Sequence, residues 1–331
     1  MNKDIKSIID KAKRIIVIQA ENPDGDSIGS ALALEEILGD MGKDVILYCP
    51  VEIPKYLRYI AGWDRIDNGF DFDADLAIIV DTTSDILLKR VIENNGVQNF
   101  MESRSVIIFD HHKTVNELPF ETINIIDENA VSTGEVVYKT AIENNWSLNA
   151  SSATNLFISI NTDTLGLVTE NVTSNIFEIC AKLVELGANP NKIESDRREL
   201  MKKRPEILEY KGKLLERIEY HLDGRLATVH IPWEEIVEFS DKYNPTMLVL
   251  DEMRLVIGVD VAIGIKTYPD GKLTGKLRSN IPVSETISGY FGGGGHEYAA
   301  GFRIYEKYDD FIPELIKAVD KALQEYDSEA A

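Results

Sequence analysis

The chain has 331 residues, which is long for a single hydrophobic core and predicts two domains. Hydrophobic residues (44%) and charged residues (27%) occur in globular proportions, and a formal charge of −21 disfavours a long basic groove for duplex nucleic acid. No apolar run reaches the roughly 18 residues of a membrane span, and the N-terminus lacks the apolar core of a signal peptide. Cys49 and Cys180 are expected to be buried thiols and not a disulfide, as in a reducing compartment. We therefore predict a cytoplasmic protein.

Short runs of Ile and Val alternate with helical patterns in the first half of the chain. The runs 14–18, 45–48, 76–80 and 106–109 are each followed by acidic or polar residues or a proline. Near-continuous apolar runs between helices are typical of buried parallel strands. This half is therefore predicted to be an α/β domain with a mostly parallel sheet flanked by helices. Such sheets bind ligands at the carboxyl ends of their strands.

Two aspartates, Asp24 and Asp26, lie on the loop after the first predicted strand. A helix that opens with Ser27-Ile-Gly-Ser30 follows them. Carboxylates at this spacing can bind two neighbouring cations, and the small residues would let a phosphate approach the helix N-terminus. In isolation, however, a Pro-Asp-Gly-Asp string is an ordinary turn.

Acidic and histidine residues also follow two later strands. Asp81 comes directly after 76–80 and is either a bridging metal ligand or the N-cap of the next segment. Asp110, His111 and His112 follow the run 106–109 and supply hard and borderline metal ligands. If the backbone stays extended, the two histidines face opposite sides, so that one binds metal and the other meets the substrate.

Helical patterns dominate from Ser132 to about residue 220. Ser132-Thr-Gly-Glu135 predicts a helix start with a capping box. Asp163 follows the run 158–162 and by itself indicates only an N-cap. The highly charged stretch 194–204, followed by Pro205, indicates a hinge or linker between domains, with a solvated helix as the alternative.

Strand patterns return after about Glu219. Pro269-Asp-Gly271 predicts a hairpin turn, and an amphipathic helix is expected from about 309 to 326. Between them lie the four glycines 292–295 and His296. Because consecutive glycines are costly in conformational entropy, they indicate backbone amides that wrap an anion, with His296 as a further donor. A flexible loop is the alternative.

These five motifs, in this order, resemble those of the DHH/DHHA1 phosphoesterase family. That family includes stand-alone nanoRNases that also act on pAp, cyclic-dinucleotide phosphodiesterases and RecJ exonucleases. The resemblance covers nearly the whole chain. It implies a DHH domain at 1–190, a helical linker at 191–219, and a smaller α/β DHHA1 domain with a mixed sheet at 220–331. Family II pyrophosphatases share the first domain but lack the glycine-rich histidine motif.

The resemblance implies a metal-dependent phosphodiesterase with two divalent ions, usually manganese, with magnesium and cobalt as alternatives. The ions would stabilise the entering and leaving oxygens of the hydrolysis. By motif, one ion would be held by Asp26, Asp81, His111 and Asp163. The other would be held by Asp24 and a bridging Asp81, and His112 would contact the scissile phosphate. The far end of the substrate would contact Arg278, Ser279, Gly293, Gly294, Gly295 and His296.

One position departs from the family pattern. Ala20 stands where the first motif carries a metal-binding histidine, so one metal site lacks a protein ligand. Gln19 and Glu21 are candidates to replace it, although strand alternation would turn both away from the face of Ala20. Asp163-Thr-Leu165 also replaces an expected Asp-Thr-Gly. The alternative function is therefore a nucleotide-binding or regulatory protein with weakened catalysis.

The expected substrates are short and anionic. They are oligoribonucleotides of a few residues, linear or cyclic dinucleotides, and pAp. A further alternative is that the protein is a phosphatase or pyrophosphatase that acts on a small molecule. No membrane and no long duplex is expected as a partner. The sequence does not rank the nucleotides, and it leaves the oligomeric state open, a homodimer included.

Overall fold

The computed structural model describes residues 3–112, 118–240 and 243–329. The chain divides into two compact units, 1–202 and 203–331. Cys49 and Cys180 are free and buried, as predicted. None of the helices in the described ranges has both the length and the apolar character that a membrane crossing requires.

The first unit is an α/β structure, as predicted. Its strands are β1 (Arg14–Ile18), β2 (Asp44–Tyr48), β3 (Ile66–Asp67), β4 (Leu76–Val80), β5 (Ser105–Asp110) and β6 (Ile123–Ile126). They form one sheet in the order β3-β2-β1-β4-β5-β6, and every neighbouring pair is parallel. Its helices are α1 (Lys3–Lys11), α2 (Gly25–Asp40), α3 (Lys89–Ile92), α4 (Asn95–Ser103), α5 (Thr133–Asn144), α6 (Ala150–Asp163), α7 (Ser174–Glu185) and α8 (Pro190–Leu200).

Alternate residues of the central strand β1 enter two hydrophobic layers. Ile15 and Val17 belong to the layer that contains α2, α5 and α6. Ile16 and Ile18 belong to the layer on the other face, together with Phe100 of α4. Because both faces are covered, each strand needs apolar residues at successive positions, which explains the Ile and Val runs.

The order of the strands reverses at β1, which has β2 on one side and β4 on the other. Connections that leave such a point in opposite directions open a crevice at the carboxyl ends of the strands. The loops after β1, β4 and β5 open at this edge. They are the loops that carry the predicted aspartates and histidines.

The second unit contains the predicted mixed sheet. Its strands are β7 (Glu219–His221), β8 (Leu226–Ile231), β9 (Val261–Thr267), β10 (Lys272–Ser279), β11 (Gly294–His296) and β12 (Ala299–Tyr305). Their order is β11-β12-β10-β9-β8-β7, and all pairs are antiparallel except β8 with β9. Its helices are α9 (Pro205–Glu216), α10 (Trp233–Phe239), α11 (Leu250–Arg254), α12 (Ser284–Tyr290) and α13 (Tyr308–Glu329).

The region predicted as a linker, 191–219, contributes to both units. Helix α8 belongs to the first unit and α9 to the second. In α9, Ile207, Tyr210 and Leu214 are buried in the core of the second unit. Part of this region is therefore core structure.

Candidate active site

Asp26 is a deeply buried carboxylate at the carboxyl edge of the first sheet. It lies in the first turn of α2 and is only 1% exposed. It accepts hydrogen bonds from Thr133 N (2.8 Å), Gly134 N (3.2 Å), Ser159 Oγ (2.5 Å) and Ser30 Oγ (3.2 Å). Thr133 and Gly134 begin α5, and the free N–H groups of a helix start favour a negative charge. Asp26 is therefore held in one orientation with its charge stabilised.

The small residues near the start of α2 bring helices together. A Cβ atom on Gly29 would lie 2.6 Å from the carbonyl oxygen of Asn155 in α6. A Cβ atom on Gly134 would lie 2.0 Å from Ser159 Oγ. The prediction that these small residues admit a phosphate is therefore wrong for Gly29, because α6 fills the space. The close helix contact is what lets Ser159 reach Asp26.

His111 follows β5 and lies among three aspartates. Its Nε2 is 3.5 Å from Asp163 Oδ2, 3.6 Å from Asp26 Oδ2 and 3.7 Å from Asp81 Oδ1. Its Nδ1 lies 3.3 Å from the carbonyl oxygen of Ala130. When Nδ1 donates to that carbonyl, the lone pair of Nε2 faces the carboxylates, which is the tautomer that a metal ligand needs.

This donor set fits a divalent metal ion. The ligand atoms of Asp26, His111 and Asp163 lie within 4.8 Å of one another, and so do those of Asp81, His111 and His112. Atoms bound about 2.1 Å from a common ion are roughly 3.0–3.5 Å apart, close to the separations around His111. Carboxylates suit magnesium and manganese, and an imidazole shifts the preference towards transition metals.

Asp81 belongs to the group of candidate ligands that contains His112, and His111 is the residue that both groups share. Asp81 has a φ of 65°, a conformation that residues other than glycine rarely adopt, and its Oδ1 accepts a hydrogen bond from Thr133 Oγ1 (3.0 Å). Burial, followed by the charges of Asp26 and Asp24, raises the pKa of Asp81 well above its ordinary value. The next helix begins only at Lys89, so the alternative of an N-cap is wrong.

The two histidines do not face opposite sides, because β5 ends at Asp110 and strand alternation ends with it. Their rings lie 4.5 Å apart, and His112 Nδ1 is 3.9 Å from the Asp81 oxygen that also faces His111. The buried Asp110 holds His112 through a 2.7 Å contact between Oδ1 and Nδ1. This hydrogen bond raises the pKa of His112 and leaves Nε2 as the available donor.

Asp163 is the last residue of α6, so its interpretation as an N-cap is wrong. Burial, followed by the charge of Asp26, raises the pKa of Asp163 to about 7. In the turn that follows, Leu165 has a φ of 52°. This is the position where the motif leads us to expect glycine, and a left-handed conformation costs other residues about 1–2 kcal/mol.

Asp24 is the N-cap of α2, and its Oδ1 accepts a hydrogen bond from Ser27 N (2.9 Å). Ser27 Oγ in turn accepts from Asp24 N (3.1 Å), which completes a capping box. Within the described ranges, Asp24 belongs to neither group of candidate ligands. Its role as a ligand of a second ion, together with Asp81, stays a prediction.

Ala20 has no side-chain atom that can bind a metal. Of its two neighbours in the sequence, only Gln19 has polar side-chain atoms without a hydrogen-bond partner among the described residues. Ala20 is 5% exposed. Glu21 is engaged by Arg90, whose N–H donates to Oε1 (2.5 Å) and whose Nε lies 3.3 Å from Oε2. Gln19 is fully buried, and its amide nitrogen and oxygen have no hydrogen-bond partner among the described residues. Of the two candidate replacements, Gln19 is the one with unused donor atoms.

In the second unit, Arg278 and the glycine run line a cavity of about 710 Å³. Ser279, the next residue of β10, is 1% exposed and lies on the other face, where its Oγ is 2.8 Å from Ser284 Oγ. Adjacent residues of a strand face opposite sides. The predicted contact of Ser279 with substrate stays a prediction, whereas Arg278 lines the cavity.

The glycine run forms a turn and a short strand, not a free loop. The N–H groups of Gly292 and Gly293 donate to carbonyls of the preceding turn, and Gly294–His296 pair with β12. The amides of Gly292 and Gly293 already have backbone partners, and binding of an anion by the glycine run stays a prediction. A Cβ atom on Gly293 would lie 2.3 Å from the Gly301 carbonyl oxygen, so this position excludes larger residues. The side chain of His296 lies outside the described part of the structure.

Two family models match the chain in the predicted order. The N-terminal domain of the DHH family matches residues 14–168, and the DHHA1 domain matches residues 237–325. The chain belongs to the DHH/DHHA1 phosphoesterase family. The predicted family and its enzyme class, a metal-dependent phosphoesterase, are thereby confirmed.

The similarity to DHH proteins extends over most of the chain. The bifunctional oligoribonuclease and PAP phosphatase NrnA of Bacillus subtilis is 22% identical over 88% of this chain and 89% of its own. The protein of the same name from Thermus thermophilus is 26% identical over 85% and 81%. An exopolyphosphatase-related protein from Bacteroides fragilis superposes with a TM-score of 0.80 at 21% identity, covering 98% of both chains. An exonuclease RecJ bound to manganese gives 0.51 at 15% identity over 96% and 92%, which shows a shared fold.

Three residues of the DHH domain support the site although the sequence analysis gave them no role in it. They are Thr133, Gly134 and Ser159. The string Ser132-Thr-Gly-Glu135 correctly predicted the start of α5, with Ser132 as its N-cap. The reciprocal half of the capping box is absent, since Glu135 accepts from Val131 N (2.7 Å) instead. No local signal indicates that the first amides of α5 face a carboxylate 107 residues away.

Proposed function

We propose that this DHH-family protein is a two-metal phosphodiesterase that hydrolyses short nucleotides. The observation that carries the proposal is the convergence of Asp26, Asp81 and Asp163 around His111, at the carboxyl edge of a parallel sheet. His112 stands beside them with an available donor nitrogen. Supporting evidence comes from the cationic cavity of the DHHA1 unit, which suits an anionic substrate.

In this proposal the first divalent ion is held by Asp26, Asp81, His111 and Asp163. The second is held by Asp24 and Asp81, and manganese is the proposed metal. The ions supply charge neutralisation at the entering and leaving oxygens of the phosphoryl group. His112, oriented by Asp110 and with a raised pKa, donates a hydrogen bond to a phosphate oxygen and stabilises the charge of the transition state.

The proposed substrates are oligoribonucleotides of a few residues, linear or cyclic dinucleotides, and pAp. The relatives from B. subtilis and T. thermophilus are named as oligoribonucleases and PAP phosphatases. The net charge of −21 supports a short substrate, because tight binding of a long duplex needs many basic phosphate contacts. The proposed location is the cytoplasm, and a homodimer is compatible with the proposal.

A substrate panel tests this function. Metal-stripped protein is assayed on pAp, a 5′-phosphorylated dinucleotide, cyclic diadenylate and a pentaribonucleotide, each with Mn²⁺, Mg²⁺ or Co²⁺. Hydrolysis is expected only with added metal. Asp81→Asn should lower kcat/KM by about a hundredfold or more, because Asp81 is proposed to contact both ions. The exposed Asp73→Asn is the matched control. Turnover by the Asp81 variant at the wild-type rate, or by wild type in chelator, would contradict the proposal.

The second candidate function is a nucleotide-binding protein with weakened catalysis, and Ala20 is the observation that favours it. Ala20→His restores the missing ligand and separates the two candidates. If wild type binds nucleotide but turns over slowly with one bound ion, and the variant binds two ions and turns over faster, the binding protein is supported. A wild type that holds two ions and turns over readily supports the phosphodiesterase.

A further inference from the structure

The cations of the DHHA1 cavity stand in rows that the register of the sheet defines. Lys266 of β9, Thr274 of β10 and Arg303 of β12 lie directly opposite one another, and we call them the outer row. Two residues further along β10 lies Lys276, and two further lies Arg278; we call these two residues the inner pair. Successive positions on one face of a strand are about 6.8 Å apart.

Both groups face the cavity. Along β10, Leu273 and Leu277 are buried in the core formed with α12 and α13. The alternate residues Thr274, Lys276 and Arg278 are partly exposed and line the cavity. Strand alternation therefore collects the cations on one face of the sheet.

The four cations of the cavity lack acidic partners. Its lining contains Lys266, Lys276, Arg278 and Arg303 and no Asp or Glu. No carboxylate of the described residues forms an ion pair with any of them, although the chain has 56 acidic and 35 basic residues. Burial and a neighbouring cation lower the pKa of Lys266 and of Lys276. An anion bound in the cavity would offset the repulsion between these cations and favour their charged forms.

The surroundings of the two groups differ. Lys276 has two residues without side chains, Gly264 and Gly301, as its neighbours on the adjacent strands, and the side chain of Thr246 lies against Gly264. In the outer row, the register places Lys266 and Arg303 on either side of Thr274, and Lys266 Nζ donates to Asn244 Oδ1 (2.8 Å). A lysine and an arginine beside a threonine supply several hydrogen-bond donors for one phosphate group.

We propose that the outer row is a second phosphate site, distinct from a first phosphate site at the inner pair. The proposal rests on the proposed function and names its substrate class more closely. pAp and a 5′-phosphorylated dinucleotide each carry one non-scissile phosphate, whereas a 5′-phosphorylated trinucleotide carries two. Among the proposed substrates, the outer row makes the protein bind oligonucleotides with two or more non-scissile phosphates more tightly than pAp or a dinucleotide.

Equilibrium binding without metal tests this site. Full-length protein in chelator is titrated calorimetrically with two linear ligands, a 5′-phosphorylated diadenylate and a 5′-phosphorylated triadenylate. Wild type should bind the trinucleotide about ten- to hundredfold more tightly, as a charge-assisted phosphate contact predicts. Lys266→Gln and Arg303→Gln should remove this advantage and leave the dinucleotide affinity unchanged. Lys276→Gln should weaken both ligands. Lys317→Gln, exposed on α13, removes the same charge outside the cavity and should change neither.

Two outcomes would overturn the second phosphate site. One is equal affinity of wild type for the two ligands, and the other is an equal loss for both ligands in Lys266→Gln and Arg303→Gln. Circular dichroism of each variant verifies that its fold is retained. Because binding is measured without metal, a trinucleotide preference in a protein that hydrolyses nothing supports the phosphate site while it contradicts the phosphodiesterase.

Discussion

Replacing Ser159 with alanine is expected to weaken metal binding by disturbing Asp26. Ser159 is fully buried in α6; its hydroxyl donates to Asp26 Oδ1 at 2.5 Å and accepts from Gly134 N at 2.9 Å. Alanine removes the shortest of the four hydrogen bonds to this carboxylate. The bonds from Thr133 N, Gly134 N and Ser30 Oγ remain, so Asp26 keeps its place but loses part of its restraint.

The size of the effect follows from the charge of the acceptor. A buried hydrogen bond to a charged group contributes about 1.5–3 kcal/mol, so the free energy of unfolding should fall by that amount. For a unit of 202 residues this lowers Tm by roughly 3–12 °C. Loss of a residue that orients a metal ligand costs about 10–100-fold in metal affinity, and the Kd for Mn²⁺ should rise by that factor.

Ser152→Ala is the matched control. Ser152 is equally buried in the same helix, but its hydroxyl bonds the backbone of Asn149 at the helix start. Its loss should cost about 0.5–2 kcal/mol of stability, as for other capping residues, and leave the Kd for Mn²⁺ unchanged. Urea unfolding and calorimetric titration with Mn²⁺ are measured for both variants. Equal changes of Mn²⁺ affinity in the two would refute the role of Ser159 in orienting Asp26.

Further predictions concern the titrating groups and the missing ligand. Asp110→Asn should lower the pKa of His112, which NMR can measure. The limb of the pH–rate profile that requires protonated His112 should then shift to lower pH, while the metal content stays the same. An unshifted profile would argue against the pairing of Asp110 with His112. Asp163 has a pKa of about 7 in the folded protein and an ordinary value of 3.8, so the metal-free protein should lose stability as pH rises from about 4 through 7. Because Mn²⁺ binds the deprotonated carboxylate, its binding should release protons and weaken below pH 7. Calorimetry in two buffers counts those protons, and a count of zero would contradict the prediction. In wild type, Mn²⁺ titration should show one binding event or two unequal ones, and Ala20→His should tighten the weaker; two equally tight events, or no gain, would indicate that Gln19 already fills the gap.

Much of the DHH unit could be predicted from the sequence because its signals are local. A strand covered on both faces needs apolar residues at successive positions, so the runs 14–18 and 76–80 coincide with β1 and β4. A residue that directly follows a parallel strand lies at the carboxyl edge whatever the rest of the fold does. This placed Asp81 and His111 near each other before any packing was known.

Tertiary structure decided how these residues are held and which way their neighbours face. Asp26 and Ser159 are 133 residues apart, and their hydrogen bond exists because glycines let α2, α5 and α6 approach closely. The end of β5 at Asp110 put both histidines beside Asp81, where alternation alone predicted opposite faces. The outer row likewise depends on the pairing of β10 with two other strands. Helix packing and strand register arise from contacts between distant segments, so no local pattern could have specified them.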